Sequence, residues 1–190
     1  MDKPDSDEQQ PSKKWSLWKT RYHFYGKHGI MVKKLEEYKY IDGRTSIFIC
    51  APLIGFLFNR RSPRDEDTGE QVSVEDVTLE TKKDTIMTVY RLIMLMDKDY
   101  EPDAEKRIEK AFRNTSREMT DESQRDIERF GEYVYGGIEV LYEKLVDEDL
   151  SGGRINTKDL IDEVRGFGLL IDALAGLTQN SSGTKIENLI

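Results

Sequence analysis

One apolar run, SIFICAPLIGFLF (Ser46–Phe58), constrains this chain more than any other stretch. It is the most hydrophobic part of the sequence, yet it falls well short of the roughly 20 residues that a membrane-spanning helix needs. A run of this length is either buried in a core or dips into a membrane surface or a partner's groove. Pro52 and Gly55 inside it predict a buried strand followed by a turn. Its flanks support the second option. Arg44 precedes it, and Arg60, Arg61 and Arg64 follow. Basic and aromatic residues beside an apolar patch suit an anionic membrane surface.

The run sits in a chain of 190 residues with 35% charged side chains and a net charge of −8, the size and polarity of one globular domain with an arm. That charge argues against a nucleic-acid-binding role for the whole surface. It is unevenly spread. Residues 1–10 are acidic, 11–44 are basic, and the remainder is acidic apart from the three arginines after the run. Cys50 is the only cysteine, so no intrachain disulfide and no cysteine-based metal site can form, and a reducing, cytoplasmic location is expected. The acidic start, MDKPDSDEQQPSKK, lacks the basic and apolar regions of a secretory signal.

Residues 1–12 read as a disordered tail. Residues 13–71 form a basic, aromatic N-terminal region. Trp15, Trp18 and Tyr22 fall at helical spacing there, and Lys19 and Arg21 add charge. Asp42-Gly43 between Tyr38–Ile41 and Thr45–Ile49 predicts a β-hairpin. The polar loop Asn59–Gln71 marks the main boundary. VSVEDVTLET beyond it suits a short strand or the start of a helix.

Residues 72–178 read as a helical bundle. Asp84 opens a helix with a stripe of Ile86, Val89, Tyr90, Ile93, Met94 and Met96. Pro102 suits the first turn of the next, with Ile108, Ala111 and Phe112 on one face. Thr120 starts a third, whose stripe is Ile127, Phe130, Val134, Ile138, Leu141, Tyr142 and Leu145. Gly136-Gly137 inside it costs about 1 kcal/mol per glycine relative to alanine, which close helix packing can explain. Thr157 caps a fourth, with Leu160, Ile161, Val164, Leu169, Leu170, Ala173 and Leu174 inward. Residues 179–190 are a polar tail. The expected fold class is mainly α: a helical bundle with a small N-terminal β-hairpin region and a flexible tail.

Three motifs invite a chemical reading. LSGGR (Leu150–Arg154) imitates the signature loop of ATP-binding cassette transporters. That loop needs a phosphate loop of the form GxxxxGK[ST], and the sequence has none. Asp147, Asp149, Ser151 and Gly152 match the first half of a calcium loop, with Asp159 beyond them. Lys158 then falls where the bidentate glutamate belongs, so calcium or magnesium binding is the alternative to an acidic turn that caps the next helix. A second acidic turn, DKDYEPDAEKRIE (Asp97–Glu109), has Pro102 at the glycine position. Both turns carry an acidic residue at position 13, Glu109 and Asp159, which suggests a repeat of about 50 residues. There is no HExxH and no GxSxG, and His23 and His28 are the only histidines. No catalytic set is selected.

Thr88–Ile108 and Leu145–Val164 resemble the TerB-like superfamily, which includes the tellurite-resistance protein B domain and the corresponding domain of DjlA-type co-chaperones. The shared pattern is an apolar helix, an acidic-Gly turn, an apolar residue and then an acidic residue opening the next helix. Gly153, Ile155 and Asp159 fill it in the second copy. Asp97 and Glu105 fill it in the first, where Lys98 replaces the glycine. The resemblance implies an all-α interaction module acting in stress response or near membranes.

The sequence thus predicts a non-enzymatic interaction or scaffold protein, peripherally associated with a membrane, with a protein partner or a second copy as its ligand. The predicted binding residues are Trp15, Trp18, Lys19, Arg21, Phe48, Phe56, Phe58, Arg60 and Arg61. The alternatives are a divalent-metal module, a viral or phage structural protein, and a single-stranded nucleic-acid binder that uses the aromatic arm.

Overall fold

The computed structural model describes residues 16–17, 21–39, 41–67, 69–113, 115 and 118–147. Strand β1 (Arg21–Tyr25) leads directly into helix α1 (Gly26–Glu37), and α2 spans Gly43–Leu57. Strand β2 (Gln71–Glu75) is followed by α3 (Asp76–Thr81), α4 (Lys83–Met96) and the short α5 (Ala104–Ile108). One π-helical turn (Glu109–Arg113) extends α5, and another (Glu143–Asp147) extends the long α6 (Asp121–Tyr142). Among the described residues the protein is mainly helical with one small antiparallel strand pair, which is the expected fold class.

The apolar run is core, and it is helical. Ile47, Phe48, Ala51 and Ile54 are at most 1% exposed and Leu53 is 5% exposed, so α2 is the central helix of the fold. Of its large apolar side chains, Leu57 and Phe58 at the C-terminal end are the exposed ones. The expected strand-plus-turn and the hairpin at 38–41/45–49 are therefore corrected. Asp42 takes the N-cap position and Gly43 adopts a positive φ of 77°, so the turn signal opens a helix instead of joining two strands. Asn59, at φ 47°, closes that helix. Its N–H bonds the Phe56 carbonyl and the Arg60 N–H bonds the Gly55 carbonyl, the two bonds of a Schellman motif.

The strand pair is made by β1 and β2, from Arg21 opposite Glu75 to Tyr25 opposite Gln71. Tyr22 is in a strand, not in a helix with Trp15 and Trp18, which lie outside the described residues. Phe24, Val72 and Val74 turn inward, and Arg21, Gln71 and Glu75 face out.

Helix α6 packs along α2. A Cβ on Gly137 would overlap the Ala51 carbonyl, and one on Gly55 would overlap the Tyr133 carbonyl, so these glycines let the two backbones touch. Gly136 does the same for the backbone of Arg60. The core consequently runs across residue 71, and the polar loop does not separate two cores among the described residues. The expected start of α6 is confirmed: Thr120 and Ser123 form a reciprocal capping box. On α4 the stripe is buried through Met94, while Met96 is 52% exposed. Ala111 is buried, but Ile108 and Phe112 are each 45% exposed. The predicted helix after Thr157 lies outside the described residues.

Candidate functional site

An open groove of about 880 Å³ lies between β1, the loop at Pro63–Arg64 and the N-terminal half of α6. Its floor is aromatic. The Tyr22 ring sits 4.3 Å from that of Phe48 and 6.5 Å from that of Tyr135, and Phe48 continues to Phe130 at 6.5 Å. Burial raises the phenols of both Tyr22 and Tyr135, so they stay neutral hydroxyls at physiological pH. Gly131 keeps the floor low. A Cβ there would lie 3.8 Å from the Tyr22 hydroxyl and 3.9 Å from Tyr135, an ordinary contact that only a longer side chain would exceed. Arg21, His23 and Arg64 line one side, and Gln124, Glu128 and Glu132 the other. The Arg64 guanidinium lies 4.4 Å over the Tyr25 ring.

Behind this groove a single carboxylate gathers donors from two segments, α1 and the loop after α2. Glu139 Oε1 accepts from Lys27 Nζ at 2.7 Å and from Ser62 Oγ at 2.7 Å, with His28 Nε2 at 3.2 Å. Arg60 Nε donates to Oε2 at 3.3 Å, and the same guanidinium reaches Glu143 at 2.9 Å. Burial alone would raise this carboxyl, but the bonds from Lys27, Ser62 and His28 outweigh it and bring it down to about 2. An ionised carboxylate only accepts, so His28 Nε2 carries the hydrogen and Nδ1 is a bare lone pair, buried without a partner. Burial lowers the His28 pKa and keeps the ring neutral. That ring lies 4.8 Å from Tyr135, whose other neighbour is Tyr22 on the groove floor.

A second polar cluster lies where α6 meets the turn after α4. Glu122, Asp126, Arg129 and Tyr133 fall three or four residues apart, hence on one helical face. Asp126 accepts from Tyr100 Oη at 2.9 Å and from Lys110 Nζ at 3.0 Å, and Lys110 also reaches Glu122 at 2.7 Å. Asp97 accepts from Arg129 Nε at 2.8 Å and Tyr133 Oη at 2.8 Å, and it caps the Tyr100 N–H at 3.1 Å. The Tyr100 ring has Lys110 and Arg129 at 5.3 and 5.2 Å from its centroid.

These contacts locate the sequence-predicted residues. Asp97, the first acid of the earlier acidic turn, has its carboxylate occupied by Arg129 and Tyr133, and Glu101 bonds the Asp103 N–H at 3.1 Å. Among the described residues no group of three His, Cys, Asp or Glu side chains could hold a metal ion. Asp147 is exposed on the last turn, while Asp149, Ser151 and Asp159 lie outside the described residues. So do Trp15, Trp18 and Lys19.

Phe48 is fully buried and Phe56 packs on Tyr133 at 5.4 Å, so neither is a free binding residue. Phe58 is 44% exposed beneath Lys144. Arg60 is committed to Glu139 and Glu143, and Arg61 lies 4.0 Å from Glu132. Of the described residues in the predicted set, Arg21 alone lines the groove with its side chain at the surface.

Sequence reasoning missed Glu139 and Gly131, and it named Arg64 only as a flank of the apolar run and His28 only as one of two histidines. Glu139 did carry a signal: a lone carboxylate inside the apolar segment Gly136–Tyr142 demands buried donors.

No protein-family model matches this chain, and neither a search of curated proteins nor one of solved structures found a match.

Proposed function

We propose that this chain is a non-enzymatic interaction protein that docks a protein partner in the groove between β1, the Pro63–Arg64 loop and α6. The observation that carries this reading is an aromatic floor, held open at Gly131, with a polar rim: the makeup of a recognition surface. The arrangement of ionisable groups supports binding over catalysis. Glu139, held at about 2 and already accepting from four side chains, is a poor general base. Its cluster instead braces the wall behind the groove.

The TerB-like resemblance of residues 88–164 points the same way, towards an interaction module. The membrane-surface alternative loses its anchor, because the apolar run that motivated it forms the centre of the core. No helix among the described residues is long and apolar enough to cross a membrane.

Affinity capture from the native cell extract tests the proposal with three baits: wild type, Gly131→Leu, and Ile30→Glu at an exposed position of α1. Leucine favours the helix and fills the floor, so a specific partner is expected to be lost with Gly131→Leu and kept with Ile30→Glu. Identical captured sets with all three baits would contradict a docking role for the groove.

A further inference from the structure

Resting on the docking role proposed above, we infer that the groove takes an acidic peptide segment, seating an aromatic side chain on the Tyr22–Tyr135 floor and a carboxylate against Arg64. Two arginines line the groove, and they differ. Arg21 is paired with Glu75 at 3.2 Å across the strand pair. Arg64 makes no ion pair among the described residues, yet it lies over the Tyr25 ring at 4.4 Å. A guanidinium already ordered by stacking loses little freedom when its donors receive a carboxylate.

The opposite wall fixes the orientation. Glu128 accepts from Gln124 at 3.1 Å, and Glu132 accepts from Arg129 at 3.4 Å. An acidic residue placed against that wall would meet like charge, so the peptide's carboxylate is directed across the groove to Arg64. The floor supplies the other half of the selection. The half-buried Tyr22 ring and the groove-lining edge of Tyr135 are the surface that meets an incoming aromatic ring, and the buried rings of Phe48 and Phe130 back them from the core. A volume of about 880 Å³ holds one large side chain with its flanking backbone.

Titration calorimetry on the full chain tests this with end-blocked Asp-Asp-Trp-Asp-Asp, its Ala-for-Trp version and Lys-Lys-Trp-Lys-Lys. The acidic Trp peptide is expected to bind, and to bind more weakly as salt rises. Loss of the ring should weaken it about tenfold. Arg64→Gln should weaken it about fivefold, the upper range for an exposed pair. Gly131→Leu should abolish binding and Gly131→Ala should leave it intact, with an unchanged melting temperature verifying that each variant is folded.

The inference is overturned if the acidic peptide gives no heat, if the lysine peptide binds as well, or if Arg64→Gln binds like wild type. An oligo-dT strand that binds and displaces the peptide would make single-stranded nucleic acid the occupant and overturn it too. If partner capture remains sensitive to Gly131→Leu while the acidic peptide fails, the docking role stands and only the acidic chemistry falls.

Discussion

Two clusters of ionised groups fasten α6 to the rest of the fold, and they are built differently. At Glu139 one buried carboxylate collects cations that are themselves half in water: the side chains of Lys27 and Arg60 are 53% and 47% exposed. At the other end both signs are buried. Lys110 and Asp126 are 7% and 0% exposed, and Arg129 and Asp97 are 10% and 3% exposed. The difference sets what each cluster can lose. A half-exposed cation that goes missing is replaced by water, whereas a buried partner that goes missing leaves a charge with no solvent to receive it.

The largest expected effect follows from the second cluster. Lys110→Met leaves Asp126 buried beside Tyr100 and should cost about 3–5 kcal/mol in urea unfolding. The double variant Lys110→Met/Asp126→Leu should recover most of that loss. If the single variant costs no more than Arg60→Ala, the contrast between the clusters is void.

The next effect is a pH dependence centred on the Glu139 cluster, with Glu122, which Lys110 holds below its usual value, acting in the same direction. The Glu139 carboxyl is held at about 2 against a value near 4.3 in an unfolded chain. A depressed acid contributes stability above the unfolded value, and that contribution, roughly 2–3 kcal/mol, is lost as pH falls from about 5 towards 2. His28 acts earlier and in the same direction. Its pKa is lowered by burial, so the unfolded chain binds a proton below about pH 6.5 while the folded one still resists. Acid unfolding should therefore begin with His28 and steepen with Glu139. Glu139→Gln should flatten the lower limb, and an unchanged profile in that variant would show that Glu139 does not set the acid limb. Smallest is Arg60→Ala, expected to cost less than about 1 kcal/mol because its pairs are half exposed.

The helices with a clear polar side were legible from the sequence. Thr120, Ser123 and the stripe from Ile127 to Leu141 specify α6 because its other face carries charge. The stripe of α4 was legible for the same reason as far as Met94. Helix α2 was not, because residues 51–55 are all buried and show no amphipathic contrast, and Pro52 in a β-prone run points away from a helix. The pairing of β1 with β2 was hidden too. It is set by α2 filling the space beneath both strands, not by a local turn.

The groove had the same non-local origin. Arg64, Gly131 and Tyr135 look unrelated in sequence until α2 brings β1 and α6 together. Tyr22 and Arg21 could be picked from the aromatic arm, but Phe48 and Arg60 were picked from the same arguments and proved to be core and brace.

This face of α6 is the proposed recognition surface, and the polar clusters are its bracing. Amide shift mapping of the ¹⁵N-labelled full chain during titration with the acidic Trp peptide tests it most directly. Shifts are expected to concentrate at Tyr22–Tyr25, Arg64 and Gly131–Tyr135, with Asp97–Lys110 unmoved. Shifts centred on Asp97–Lys110, or none at the groove, would contradict it.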